Sequence, residues 1–130
     1  IMKPINEVTA AFLSRSSNES FARATAACFA AQMDPTLEEV NDIKTAVSEA
    51  VTNCIVHAYP DRLGPVQMRL RIFEDNTLEI RIKDRGVGIP DIEQARRPMY
   101  TTGGEERTEP GRGTAVTMRR RISRRMGGTG

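Results

Sequence analysis

The chain has 130 residues, 38% hydrophobic and 28% charged, with a formal net charge of +2. That length suits one domain, residues 1–130, around one core, and the composition fits a soluble globular protein. No apolar run reaches the roughly 18 residues of a membrane helix, and Ile1-Met2-Lys3-Pro4 lacks the apolar stretch of a signal peptide.

Val8, Ala10 and Phe12 alternate within residues 5–13, which predicts a first strand. Ser16 and Glu19 have the spacing of a capping box and predict a helix start. Phe21, Thr25, Cys28, Phe29 and Gln32 then recur at helical spacing. This helix stops near Met33-Asp34-Pro35, because the residue before a proline disfavours helix. Thr36 and Glu39 form a second capping box. Val40, Ile43, Val47, Ala50, Val51, Cys54, Ile55 and Ala58 make the broad apolar face of a long helix running to about His57 or Ala58. Cys28 and Cys54 fall on apolar helical positions. Both read as buried free thiols, which fits a reducing, cytoplasmic compartment. His57 is the single histidine, so no multi-histidine metal site exists.

Tyr59 to Pro65 breaks the helix. Val66, Met68, Leu70 and Ile72 alternate with Gln67, Arg69 and Arg71, and Leu78, Ile80 and Ile82 alternate with Glu79, Arg81 and Lys83. With Glu74-Asp75-Asn76 between them, they predict an antiparallel hairpin with one buried and one wet face. Residues 91–97 suit a short helix, Pro98 to Gly111 a loop, and Thr114, Val116 and Met118 a last strand. The order of elements argues for an α+β fold with helices on one sheet face. Five arginines (119, 120, 121, 124 and 125) lie near the end, and without them the net charge is +2 − 5 = −3. They read either as a solvated terminal helix or frayed end, or as a contact for nucleic acid or an acidic partner. No aromatic residue interleaves with them, which weakens a single-strand-binding reading.

Three positions carry candidate chemistry. Glu49 and Asn53 are four residues apart and share a helix face. Glu49 reads as a general base or as a partly exposed helix glutamate paired with a neighbour. Asn53 offers a neutral oxygen to a hard cation such as Mg²⁺, whose shell phosphates and water complete, or caps a local turn. His57 continues that face and reads as structural support. Asp84 ends an alternating run before Gly86 and Gly88. It can accept a hydrogen bond from an exocyclic base amine, with the glycines letting a base lie against the backbone, or it is an ordinary strand-to-turn aspartate.

These stretches resemble known motifs. Ser48-Glu49-Ala50-Val51-Thr52-Asn53 resembles the N box of the GHKL ATPase/kinase superfamily, and Asp84-Arg85-Gly86-Val87-Gly88-Ile89-Pro90 its first glycine box. More narrowly, the chain is similar to the anti-sigma F factors, sporulation serine kinases of that superfamily. The similarity rests on residues 18–23, 34–36, 43–45, 48–59, 86–95 and 98–102, and spans nearly all of residues 5–102. It implies a Bergerat-type sandwich, with helices on one face of a mixed, mostly antiparallel sheet, binding ATP or ADP with Mg²⁺. It assigns Glu49 as catalytic base, Asn53 as metal ligand and Asp84 as adenine reader. Gly86 and Gly88 would shape the pocket, Thr101 and Thr102 begin a nucleotide lid, and Arg23 contacts a partner. Such proteins form homodimers, hold sigma F away from RNA polymerase, and phosphorylate a serine of the anti-anti-sigma protein SpoIIAA. Neither membrane nor direct nucleic-acid contact is expected of them.

The chain departs from that pattern after Thr108. Glu109-Pro110-Gly111-Arg112-Gly113-Thr114 resembles the family's final turn and strand, not its second glycine box. Roughly twenty residues, about one helix and one strand, are absent between positions 108 and 109. Either the sequence skips residues or the protein carries a true deletion. A helix N-terminus there would offer N–H groups to phosphate, so the departure touches the phosphate end of the site. Alternatives to the sporulation kinase are a stress-response anti-sigma kinase, a module that holds nucleotide and sigma factor without catalysis, and a nucleic-acid-contacting domain working through the arginines.

Overall fold

The computed structural model describes residues 2–86, 102–109 and 113–123. Five strands form one sheet: β1 (Pro4–Leu13), β2 (Pro65–Phe73), β3 (Thr77–Asp84), β4 (Thr102–Glu109) and β5 (Gly113–Arg121). Their spatial order is β1-β2-β3-β5-β4. Two helices, α1 (Asn18–Ala30) and α2 (Leu37–Asn53), pack on one face. A 3₁₀ turn, Ala31–Met33, ends the α1 segment, and a π-turn, Cys54–Ala58, ends α2. The α+β architecture with helices on one sheet face is thus present. Every described pairing is antiparallel, so the mixed character that the resemblance implies is not among the described strands.

The period-2 pattern explains the sheet. Val66, Met68, Leu70, Leu78, Ile80 and Ile82 all point inward and are buried. Against them lie Ala22, Ala26 and Phe29 of α1 and Ile43, Val47 and Val51 of α2. Asn76 closes the β2–β3 hairpin at φ 68°, a left-handed conformation that asparagine tolerates. Its Nδ2 donates to Ile122 O at 2.6 Å, and Ile122 N donates to Asn76 O at 2.9 Å. The far end of β5 is therefore fastened to the hairpin turn.

The second capping box forms as expected. Glu39 N donates to Thr36 Oγ1 and Thr36 N to Glu39 Oε1. Glu39 also accepts from Ser123 N at 2.9 Å and Ser123 Oγ at 3.2 Å, so one carboxylate starts α2 and anchors the chain beyond β5. The first capping box does not form. Ser17, not Ser16, is the N-cap, in helical conformation and without a side-chain bond. Glu19 is drawn instead to Arg23 and to Thr52 of α2. The helix stop is where proline places it, with Asp34 left-handed at φ 51°.

Other expectations are corrected. Cys28 is exposed and only Cys54 is buried; both are free. Within the stretch expected as a loop, Thr102–Glu109 pairs along the open edge of β5. Its polar, glycine-containing sequence has no apolar alternation, so backbone pairing alone reveals it. The expected helix over 91–97 lies outside the described residues. Arg119, Arg120 and Arg121 are neither helical nor frayed, because they belong to β5. Arg120 points to the helix side and donates to Asp42 of α2 at 2.6 Å. On the open face the register aligns Glu7, Arg71, Glu79 and Arg119 in one cross-strand row of alternating charge. Glu79, only 5% exposed, sits between three guanidiniums: Arg119 at 2.9 Å, Arg69 at 3.5 Å and Arg71 at 4.0 Å.

Candidate functional site

The C-terminal half of α2 carries the first two candidates. Helical spacing puts Glu49 and Asn53 one turn apart on the same face, both half-buried. The residue before each faces α1. Arg23 Nη1 donates to Ser48 Oγ at 3.4 Å and to Glu19 Oε1 at 3.1 Å, and Thr52 Oγ1 donates to Glu19 Oε2 at 2.7 Å. This seam sets the rotation of α2 about its axis and so the direction of Glu49 and Asn53. Arg23 is itself about one-third exposed, so it stands both in the seam and at the surface.

The third candidate comes from the sheet. The inward phase of β3 brings Asp84, 2% exposed, to the end of α2. Its Oδ1 accepts from Gly86 N at 3.0 Å and from Thr114 N at 3.1 Å. Three consecutive residues of this strand end are received by the end of α2. The buried Cys54 thiol lies beside the Asp84 carboxylate. Arg85 N donates to Tyr59 Oη at 2.7 Å, and Tyr59 Oη donates to Pro65 O at 2.7 Å. Gly86 lies against Ala58, where an added Cβ would stand 2.1 Å from the Ala58 carbonyl oxygen. A π-turn, common at functional sites, makes this contact surface through Tyr59 N donating to Cys54 O. Burial, and then the Asp84 carboxylate beside it, pushes the Cys54 thiol well above its ordinary range. It therefore stays protonated. Burial likewise raises the Tyr59 hydroxyl.

The structure thus joins Asp84 and Gly86 to the end of α2, and sets Glu49 and Asn53 along the same helix. Gly86 has a structural reason to be glycine, the approach of the Ala58 backbone. Gly88 and Thr101 lie outside the described residues. Thr102 opens β4, opposite Arg119. Sequence spacing did not reveal Cys54, Tyr59 or Thr114 as partners of the Asp84 turn. Cys54 directly follows Asn53, but nothing in the chain's periodicity says that its thiol meets Asp84. His57 is half-buried within the π-turn.

Comparisons with known proteins agree with this fold. The histidine kinase-like ATPase domain family matches residues 12–121. An anti-sigma F factor of Caldanaerobacter subterraneus is 48% identical over 132 residues, covering 87% of this chain and 92% of the relative. One of Thermoanaerobacter sp. is 44% identical over 140 residues, covering 93% and 97%. One of Geobacillus kaustophilus is 51% identical over 100 residues, covering 77% and 68%. Coverage of 87% of 130 residues is about 113, so about 19 of the 132 aligned positions in the first comparison have no counterpart here. A crystal structure of the RsbU and RsbW domains of a Mycobacterium tuberculosis protein superposes with a TM-score of 0.73 at 22% identity. It covers 94% of this chain and 34% of that one, and shows the shared fold. By domain match and by identity over most of its length, the chain belongs to the anti-sigma F factor family, built on the histidine kinase-like ATPase domain.

Proposed function

We propose that this protein is an anti-sigma factor and an ATP-dependent serine kinase. It holds sigma F away from RNA polymerase and phosphorylates the anti-anti-sigma protein SpoIIAA, and so regulates sporulation transcription in the cytoplasm. The observation that carries the reading is the joint placement of Glu49 and Asn53 on one face of α2 with the buried Asp84 carboxylate at that helix's end. These residues fit an adenine nucleotide with Mg²⁺. A buried acceptor fixed by two backbone N–H groups suits an exocyclic amine. Among the described residues no three His, Cys, Asp or Glu side chains converge to hold a metal. An amide oxygen from Asn53 suits a cation whose other ligands are phosphate and water.

In this reading ATP supplies the transferred phosphoryl group and Mg²⁺ offsets its charge. Glu49 accepts the proton of the attacking serine hydroxyl. Asn53 holds the cation, Asp84 accepts from the base, and Gly86 keeps the turn below it in place. Gly88, Thr101 and Thr102 complete the pocket and its lid. Arg23 meets the partner, and through Ser48 and Glu19 it also touches the seam behind Glu49. A homodimer is supported by the edge strand β1 and its neighbour α1, where Ile5, Val8, Leu13 and Phe21 are exposed.

A second reading has its own support. Between β4 and β5 only residues 110–112 intervene, and about 19 aligned positions of a relative lack a counterpart. If the phosphate-binding segment is truly deleted between 108 and 109, the protein holds nucleotide and sigma factor without transferring phosphate. Glu49→Gln separates the two. Under the first reading the wild type phosphorylates SpoIIAA, and the variant keeps sigma F in a pull-down with ATP but loses phosphoryl transfer by at least about a hundredfold. Transfer unchanged by the substitution removes Glu49 as the base. Sigma F binding without transfer by the wild type supports the binding module. No sigma F binding by either protein refutes both.

A further inference from the structure

We propose that the open face of the sheet, turned away from the helices, is a docking surface for an acidic protein segment in extended conformation, held by Arg69, Arg81 and Lys83. It lies across the sheet from α1 and α2, so it does not depend on how Glu49, Asn53 and Asp84 are used. On β1, β2, β3 and β5 the register puts six cations on this face (Arg69, Arg71, Arg81, Lys83, Arg119 and Arg121) and two carboxylates, Glu7 and Glu79. The balance is 6 − 2 = +4 here, against +2 for the whole chain. Both carboxylates stand in one row, where Glu79 meets Arg119, Arg69 and Arg71, and Glu7 meets Arg71. On these four strands the next two rows hold no carboxylate: Thr9, Arg69, Arg81 and Thr117 align in one, and Ala11, Gln67, Lys83 and Ala115 in the other. Arg69 directly opposes Arg81, a like-charge pair that costs the sheet stability. Arg69 Nε is buried without an acceptor. Arg81 and Lys83 are half-buried and make no ion pair or hydrogen bond with the described residues. Small threonines and alanines flank all three cations, so their charged ends are not walled off. The fold keeps a repulsive pair that nothing within it offsets, and an anion from outside offsets it.

The spacing names the class of anion. Arg81 and Lys83 are two residues apart on β3, about 7 Å along the strand. Carboxylates at positions i and i+2 of an extended peptide have the same separation, and the Arg69 fork across the row suits a carboxylate as well. A nucleic acid fits this face less well. The two rows offer no aromatic ring on which a base could stack. A duplex carries a charge about every 1.7 Å, and its backbone would run on from these rows over Glu7, whose side chain is 44% exposed.

The test titrates the full chain into a fluorescein-labelled peptide of four Glu-Thr repeats at low salt, where surface charges are least screened. Arg81→Thr and Lys83→Thr are each expected to weaken binding about 3-fold, and together about 10-fold. Lys44→Thr, at an exposed position of α2, is expected to leave binding unchanged. Threonine suits a strand, and Arg81→Thr should melt no lower than wild type because it relieves the pair with Arg69. A fall in Tm of more than about 4 °C would make Arg81 a structural residue and overturn the proposal. So would absence of peptide binding by the wild type, or an equal loss in Lys44→Thr, which would mean attraction by net charge alone. A DNA duplex bound more tightly than the peptide, and weakened by the same substitutions, would assign the face to nucleic acid instead. Self-association lost in Arg81→Thr, with peptide binding unchanged, would assign it to a second copy of this chain.

Discussion

Replacing Gly86 with alanine puts a methyl group where the backbone of the π-turn already stands. The new Cβ would lie 2.1 Å from Ala58 O, 2.5 Å from Ala58 C and 2.5 Å from Ala58 Cβ. Ordinary contacts between such atoms are about 3.5 Å, so strand end and helix end must part by more than about 1 Å. Gly86 is not among the residues with positive φ, so the cost is steric rather than conformational. Overpacking costs about 1–3 kcal/mol, and the upper end applies because the obstacle is backbone and cannot rotate away. With an unfolding entropy of about 2.1 cal/mol/K per residue, a 130-residue domain loses about 11 °C of Tm for 3 kcal/mol. The same movement stretches the Gly86 N bond to Asp84 Oδ1, so nucleotide affinity falls with stability. Thermal melts with and without ADP measure both effects. Adding Ala58→Gly should recover little, because it removes the Cβ contact and leaves the carbonyl. A Gly86→Ala protein melting within about 2 °C of wild type, with ADP binding intact, would refute the account of how this strand end is seated.

Three further outcomes follow from the fold. Burial works to raise the Glu39 carboxyl, but the bonds from Thr36 and Ser123 outweigh it and hold the group below its ordinary value of 4.5. The folded state thus binds that proton less tightly than the unfolded one. Its stabilisation is complete above about pH 4.5 and is lost as pH falls through the folded value. Melts of Glu39→Gln between pH 7 and 3 should show a shallower acid loss than wild type, and equal slopes would contradict the assignment. Glu79→Ala leaves Arg69, Arg71 and Arg119 facing one another. Because those arginines are about one-third exposed and screened by solvent, the loss should be about 2 kcal/mol. It should shrink in 1 M salt, as urea titrations would show. An intact mass near 14.4 kDa supports a true deletion after Thr108, and a mass about 2 kDa higher supports skipped residues.

What was legible in the sequence was what is local. The Thr36–Glu39 box and the β2–β3 hairpin depend on neighbours in the chain, and both stand where spacing placed them. The Ser16–Glu19 box has the same spacing but fails, because Glu19 meets Thr52 and Arg23 and is no longer available to the helix start. Strand β4 was hidden because its pairing is backbone to backbone and asks nothing of its side chains. Arg120 looked like part of a tail until the register of β5 turned it toward Asp42. In the site, Glu49, Asn53 and Asp84 were readable from spacing and motif. The long-range group that holds Asp84 was not, since Thr114 N reaches it from 30 residues away.

The bond between Glu39 and Ser123 closes a loop of 84 residues. Closing it costs about 4 kcal/mol of chain entropy by the length term alone. Neighbouring segments such as α1 with α2, or β2 with β3, meet over far shorter loops. Strand β5 should therefore find its place late in folding. Until it does, β3 is an open edge carrying Leu78, Ile80 and Ile82. A partly folded chain in that state offers a template to its own copies. Refolding yield should then fall as protein concentration rises, even for a protein whose native state is stable once the latch at Glu39 has closed.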